Sequence, residues 1–432
     1  WRNHEKVLLQ ASPNFAELLL QDPKSNALRG PWPGEIFRNL HLAKTLRALA
    51  KDGKKGFYTG AIAEEIIKVI KYRGGYLELQ DLKKHMDNGS EILDPISYTF
   101  RGQGTANYLI NPEEGSPRHG NNQNKFGIKV WEQPPNGQGI VALMALGILE
   151  ALEDNGKIPR FTREQHNSAE YLHALIESLR IAFSDAAWWV SDPAQTKAPI
   201  SQLISKKYLA ERARLFDPTR ASENLYEHGS PAHNHSDTVY FSVIDKDGNA
   251  VSFINSNFTD FGSGIIPKGT GFVLQNRGSN FSLCPGHPNA IAPGKRPYHT
   301  LIPAMITNAH DGSLNSVYGV MGGFMQPQGH IQVLFNMIVF KCNPQAALDA
   351  PRFCIGAESI PGDVNRKMVL LEEGISEEVC GKLRAMGHDA KIVRDFKRSI
   401  FGRGQLIRCH TYNDQMVFSG GSDPRGDGAA YP

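Results

Sequence analysis

The 432-residue sequence predicts a mixed α+β chain in which helices come first and strands follow. Three observations carry that reading. From residue 1 to about 216, apolar residues recur at helical spacing with cap signals at the segment ends. After Asp237 the pattern changes to strand and turn, beginning Thr238-Val239-Tyr240-Phe241-Ser242-Val243-Ile244 and continuing Ala250-Val251-Ser252-Phe253-Ile254-Asn255. Hydrophobic residues at 40% and charged residues at 21% are ordinary globular usage, far from the composition of a disordered chain.

Taken in order, residues 141–152 are apolar nearly all round and follow the break Pro134-Pro135-Asn136-Gly137-Gln138-Gly139. That predicts a helix buried between layers, entered through a turn able to line a pocket. Leu172, Leu175, Ile176, Leu179 and Phe183 follow the i, i+3, i+4, i+7 rule of a core-facing helix, with Thr162 and Gln165 as a capping box upstream. Residues 217–237 are polar and irregular and read as an exposed loop. His228, His233 and His235 within it invite a metal, but no carboxylate or cysteine stands at a completing spacing, so a solvated loop is expected. The two strands that follow are almost continuously apolar and predict cover on both faces. Between them, Asp245-Lys246-Asp247-Gly248-Asn249 reads as a three-residue hairpin loop with Gly248 left-handed and Asp245 paired with Asn249. That register sets Ser256 opposite Thr238.

Lys+Arg at 47 against Asp+Glu at 44 gives a net charge of +3, too balanced for a nucleic-acid or anionic-membrane partner. Cys284, Cys342, Cys354, Cys380 and Cys409 are widely spaced with no C-x-x-C pair, which predicts free thiols in a reduced compartment; localisation is otherwise undetermined, with the cytoplasm preferred. No run of 18 apolar residues occurs, so no membrane span is expected. The phosphate-loop, dinucleotide, zincin and G-x-S-x-G patterns are all missing.

What stands out instead is the stretch 237–282, then Pro293-Gly294-Lys295-Arg296-Pro297, the pair Gly322-Gly323, Ala347-Leu348-Asp349-Ala350-Pro351-Arg352-Phe353, and Ser422-Asp423-Pro424-Arg425. In this order they resemble the γ-glutamyltranspeptidase family of N-terminal nucleophile hydrolases, from about residue 35 to the end. The resemblance implies the four-layer α/β/β/α sandwich of those hydrolases and a precursor that cuts itself once. The cut would fall between Asp237 and Thr238, giving a large-subunit portion 1–237, ending in a processing loop 217–237, and a small subunit 238–432. It implies Thr238 as nucleophile, Gly322 and Gly323 as oxyanion donors, and Ser256 orienting Thr238. The partners it implies are a small γ-glutamyl or acyl-amide substrate and the other subunit of the same precursor, with no metal or organic cofactor required. It also implies that an N-terminal segment, bearing a carboxylate-binding arginine, precedes residue 1.

The chemistry has its own logic. A threonine hydroxyl is a weak nucleophile unless a base lies within reach, and a freed α-amine on the same residue supplies one. Gly322-Gly323 follows a strand-like run and precedes an apolar one, where backbone N–H groups can face a developing oxyanion. Without the resemblance, Thr238 reads as an ordinary strand threonine and Gly-Gly as a tight turn. Asp423-Pro424-Arg425 reads as a turn that locks the end of the chain.

Positions that grip the γ-glutamyl group in the family differ. An asparagine falls on Phe258; a glutamine and an aspartate fall on Arg277 and Asn280; paired serines become His299 and Thr300. Arg277, a fixed cation, repels an ammonium and attracts a carboxylate. Arg277, Asn280, His299 and Thr300, with Ser256, are the substrate-binding candidates. Three functions remain open: a γ-glutamyl hydrolase or transferase acting on glutathione-like substrates, a cephalosporin-acylase-like amidase of another acyl group, and an uncleaved, catalytically silent scaffold.

Overall fold

The computed structural model describes residues 1, 5–101, 127–222, 238–356, 368–412 and 415–432. Asp237, His228, His233 and His235 lie outside the described residues. The described chain forms two compact units, Trp1–Ile92 with Asn257–Arg277, and Leu93–Ser256 with Gly278–Pro432.

The first unit holds the helices Leu40–Asp52, Gly60–Tyr72 and Leu79–Asn88. Its far-removed segment 257–277 is stitched in by side chains. Asn39 caps its helix by accepting from Leu42 N at 2.8 Å and donates through Nδ2 to Gly271 O at 2.6 Å. Thr45 Oγ1 donates to Thr270 O at 2.9 Å, and the Glu17 carboxylate accepts from Gly269 N at 2.6 Å. Leu8, Leu18, Leu19 and Ile266 close a small apolar core around these bonds.

The second unit is built on a six-stranded antiparallel sheet in the order Gln415–Ser422, Arg403–Tyr412, Leu314–Met321, Ala304–Asn308, Ile128–Glu132, Ile96–Phe100. The last two strands are five residues each in a first half whose other described elements are almost all helices. Ile128-Lys129-Val130-Trp131-Glu132 alternates between buried and half-buried, the period of a strand. Against one face lie the helices Gly139–Asp154 and Met325–Ile338, with Ala169–Trp189 packed on the former. Against the other lies the hairpin Thr238–Ile244 and Ala250–Ser256. The pleat separates the two sides. Val320 meets the helix at Gly329, where an added Cβ would come within 2.6 Å of it, while the preceding Gly319 faces the ring of Tyr240 too closely for any side chain. A third sheet of Phe353–Ile355, Met368–Glu372 and Asp389–Val393 closes a core of Met325, Cys354, Met368, Leu370 and Phe401.

The helix expected at 141–152 spans Gly139–Asp154 and is buried along almost its whole length. The Thr162–Gln165 capping box forms, but it closes the 3₁₀ turn Arg163–Gln165. The long helix after it is capped by Ser168, which accepts from Tyr171 N at 3.2 Å. The hairpin has the expected register, Thr238 opposite Ser256. Asp245 N donates to Asn249 O at 3.0 Å and Gly248 sits at φ 84°, which a glycine adopts without strain. Its cover differs from the expectation. Among the described residues only the inner face is buried; on the outer face Val239 is 66% exposed, and Phe241 and Phe253, 45% and 47% exposed, stack at 4.9 Å. A run of apolar residues alone does not distinguish a strand buried on both faces from one whose second face is apolar and open. All five cysteines are free thiols, and no helix among the described residues is long and apolar enough to cross a membrane.

Candidate active site

Thr238 opens its strand with the side chain turned inward, 4% exposed. The antiparallel register places Ser256 across from it, and Thr238 Oγ1 donates to Ser256 Oγ at 3.1 Å. Two residues on, Tyr240 points the same way and donates or accepts with Ser252 Oγ at 2.8 Å. Burial pushes the Tyr240 phenol up, so it stays protonated. Its ring on Gly319 seats the hairpin on the strand that ends at Met321, one residue before the glycine pair.

Gly322 and Gly323 form the junction between that strand and the helix Met325–Ile338, at φ 133° and 59°. Both values fall where glycine is favoured. Their carbonyls are drawn into the first helical turn, accepting from Met325 N at 3.0 Å and Gln326 N at 3.1 Å. Neither amide N–H of the pair is used in a hydrogen bond among the described residues. Two unspent donors at the N-terminus of a helix suit an anion or oxyanion.

A second strand of backbone braces this turn. Asn136 O accepts from His299 N at 3.0 Å, and Gln138 N donates to His299 O at 3.1 Å. The Gln138 amide, fully buried, donates to Gly323 O at 2.8 Å and Thr300 O at 3.2 Å and accepts from Tyr298 Oη at 3.1 Å. Of the substrate-binding candidates, His299 and Thr300 thus lie in one piece with Gly323. Thr300 is fully buried, and the His299 ring takes Leu301 N on Nδ1 at 3.1 Å, which puts its proton on Nε2. Asn280 Nδ2 donates to Tyr298 O at 3.1 Å, so that part of the side chain holds the loop. Arg277 belongs to the other unit, where its guanidinium lies 4.9 Å from the Phe258 ring centre; burial lowers its pKa to about 10. Phe258 is buried at φ 82°, a costly backbone for a large side chain. The two departures at 258 and 277 therefore pack on each other. Gln138 escaped the sequence reading as an individual residue; its only signal is a lone polar side chain between Gly137 and Gly139 at the mouth of an apolar helix.

Three further groups of buried polar residues lie in the second unit. Glu132 Oε1 and His330 Nδ1 are 2.7 Å apart with no exposure. Burial raises the carboxyl and lowers the imidazole to about 3, so the neutral acid donates to the neutral ring. His173, Glu177 and His388 are close enough to share a metal ion. Their hydrogen bonds are already ordered: His173 Nε2 donates to Asp217 O at 2.8 Å, His388 Nε2 donates to His173 Nδ1 at 2.8 Å, and Arg180 donates to His388 Nδ1 at 3.1 Å and to Glu177 at 2.7 Å. Burial, with Arg180 and His173, lowers His388 to about 2.

The third group ties down the chain end. Arg352, fully buried, donates to Asp423 Oδ2 at 2.7 Å, Leu348 O at 3.1 Å and Phe401 O at 3.1 Å. Asp423 Oδ2 also accepts Gly404 N at 2.8 Å, and Oδ1 accepts Arg425 N at 3.0 Å and its guanidinium at 3.1 Å. Arg425 pairs in turn with Glu372. Burial would raise Asp423, but Arg352, Arg425 and the two amides outweigh it and hold the carboxyl below its ordinary range. The turn expected at 423–425 is thus the visible part of a buried ion network.

A family model described as gamma-glutamyltranspeptidase matches residues 1–432. The chain is 33% identical over 429 residues to a glutathione hydrolase-like YwrD proenzyme from Bacillus subtilis, covering 98% of this chain and 70% of that protein. It is 31% identical over 423 residues to an oxamate amidohydrolase proenzyme from Klebsiella pneumoniae, covering 98% and 69%. The crystal structure of a cephalosporin acylase from Bacillus halodurans matches with a TM-score of 0.74 and 38% identity, covering 93% of this chain and 64% of that one. The chain therefore spans roughly two thirds of the length of the proteins it matches. It belongs to the γ-glutamyltranspeptidase family, and its α+β fold is that of the N-terminal nucleophile hydrolases.

Proposed function

We propose that this chain is a self-processing N-terminal threonine hydrolase that takes a γ-glutamyl group or a related acyl group from an amide. Cleavage of the Asp237–Thr238 bond divides it into 1–237 and 238–432 and frees the Thr238 amine. In the mature enzyme that amine accepts the Oγ1 proton as Oγ1 bonds to the substrate carbonyl carbon. The carbonyl π electrons move onto oxygen, which the Gly322 and Gly323 amides receive. Collapse breaks the C–N bond, the ammonium returns its proton to the leaving amine, and an ester remains on Thr238. Water, or a second amine, repeats the sequence in reverse and releases the acyl group.

The observation that carries this reading is the inward, buried Thr238 held by Ser256 at 3.1 Å on a hairpin seated against the strand that ends at two unspent glycine amides. The deciding experiment is intact mass and N-terminal sequencing of the natural full-length protein beside Thr238→Ala. A wild-type fragment beginning Thr238-Val239-Tyr240, absent from the variant, supports it. A wild-type chain that stays whole under native conditions sinks it and leaves the scaffold function.

For the acyl group, a second reading is supported by the Phe258–Arg277 pair, which replaces neutral polar groups with an aromatic ring and a cation. It is an amidase of another acyl amide, in keeping with relatives named as an oxamate amidohydrolase and a cephalosporin acylase. Release of nitroaniline from a glutaryl but not a γ-glutamyl 4-nitroanilide favours it; the opposite preference favours the γ-glutamyl hydrolase.

A further inference from the structure

We propose that Gln138 is the positioning residue that holds the Gly322–Gly323 turn in the shape that presents its two amides. Two adjacent glycines are the softest backbone a chain can offer, because each lacks the Cβ that restricts φ and ψ. An oxyanion site is useful only if its donors are already in place when charge develops. The helix that follows fixes the turn from one side, through Met325 N on Gly322 O and Gln326 N on Gly323 O. Gln138 fixes it from the other, at 2.8 Å on Gly323 O.

The amide of Gln138 has no slack. One N–H goes to Gly323 O and the other to Thr300 O, while its oxygen takes the Tyr298 hydroxyl. A flipped amide would set its oxygen against the carbonyls of Gly323 and Thr300, neither of which can donate. Its own backbone is held too, by Gln138 N on His299 O. Burial keeps water from replacing any of these bonds, since Gln138 is 0% exposed. Gln138 also lies on the N-terminal side of the proposed cut and Gly323 on the other, so after processing one fragment would hold the reactive turn of its companion.

The link to catalysis rests on the hydrolase reading; the link to the turn does not. The test uses the natural full-length protein with Gln138→Met, which keeps length and loses both donors, and Tyr298→Phe, which removes only the bond to the Gln138 oxygen. The readouts are hydrogen exchange at Met325 and Gln326, and kcat and KM on the γ-glutamyl or glutaryl 4-nitroanilide that the wild type cleaves. Gln138→Met is expected to speed exchange at both amides about tenfold and to lower kcat roughly tenfold to a hundredfold with KM changed less than about twofold, as for misplaced catalytic donors. Tyr298→Phe is expected to fall between. Unchanged exchange in a folded Gln138→Met protein overturns the proposal, and so does an unchanged kcat. A wild type that never cuts itself defeats the hydrolase reading, and the exchange result then decides alone whether Gln138 holds the turn.

Discussion

Replacing Asp423 by asparagine changes one oxygen for an NH₂ and leaves the shape intact, so its cost isolates the buried charge. Each carboxylate oxygen takes two N–H donors, Arg352 and Gly404 on one, the Arg425 amide and guanidinium on the other. Whichever side the new NH₂ occupies, two donors face a donor. Bonds to a charged group are worth about 1.5–3 kcal/mol each, so two lost bonds cost roughly 3–6 kcal/mol. Breaking one partner of a buried pair costs about 3–5 kcal/mol by an independent route, because Arg352 loses its carboxylate partner and Arg425 is left with Glu372, which Arg398 also pairs with. We expect a loss near 4 kcal/mol, a large part of the 5–15 kcal/mol that holds a typical domain together. The assay is the urea midpoint followed by tryptophan fluorescence, with unchanged slope as the control. Arg352 also holds the carbonyl of Phe401, beside Gly402, whose Cα sits 3.2 Å from where a side chain on Gly322 would begin. Turnover should therefore fall with stability. A loss under about 1 kcal/mol would refute the reasoning, since a surface pair is worth no more than that.

Gly319→Ala drives a methyl group into the Tyr240 ring and should cost about 1–3 kcal/mol of overpacking, partly restored by Tyr240→Leu; equal urea midpoints for wild type and variant would count against the seating of the hairpin. Ser256→Ala removes one hydrogen bond of about 1 kcal/mol from the Thr238 hydroxyl and should slow kcat about fivefold while the cut still occurs. Buried His388, lowered to about 2, binds a proton in the unfolded chain near its ordinary 6.5 but not in the folded one. Its contribution is therefore complete above pH 6.5 and is lost as pH falls toward 2, at about 1.4 kcal/mol per pH unit. Urea titrations between about pH 6.5 and 5 should show the wild-type slope exceeding that of His388→Leu by about that amount, the difference isolating His388 from the other buried groups; equal slopes would count against it.

What the sequence discloses well is local. The Asp245–Asn249 turn sets its own geometry through Asp245 accepting from Asp247 N and Asn249 N at 2.9 Å, so the register that brings Ser256 to Thr238 follows from a few adjacent residues. Gly322-Gly323 is legible for the same reason, lying between a strand pattern and a helix pattern. The polar bonds that brace the site join distant positions: Gln138 to Gly323 spans 185 residues and His330 to Glu132 spans 198. No periodicity encodes a partner that far away. Ile96–Phe100 and Ile128–Glu132 are strands of five residues each, too short to stand out, although Ile128-Lys129-Val130-Trp131-Glu132 alternates plainly. The arginine at 277 was read for its charge; stacking on Phe258 depends on a backbone bend at 258 that residue type alone argues against.

The hairpin has a mechanical corollary. Strand alternation makes Thr238, the proposed nucleophile, and the side chain beside it point in opposite directions, so Thr238 and Val239 share one backbone but face different environments. Phe241 and Phe253 continue that outer stripe as an oily strip on a ribbon only two strands wide, which has little stiffness of its own. Its stiffness therefore comes from the inner face, where the Tyr240 ring lies on Gly319 of the six-stranded sheet. Tyr240 would never touch substrate, yet it would set how far the proposed nucleophile can wander, so loosening that seat would be felt as lost turnover rather than lost binding.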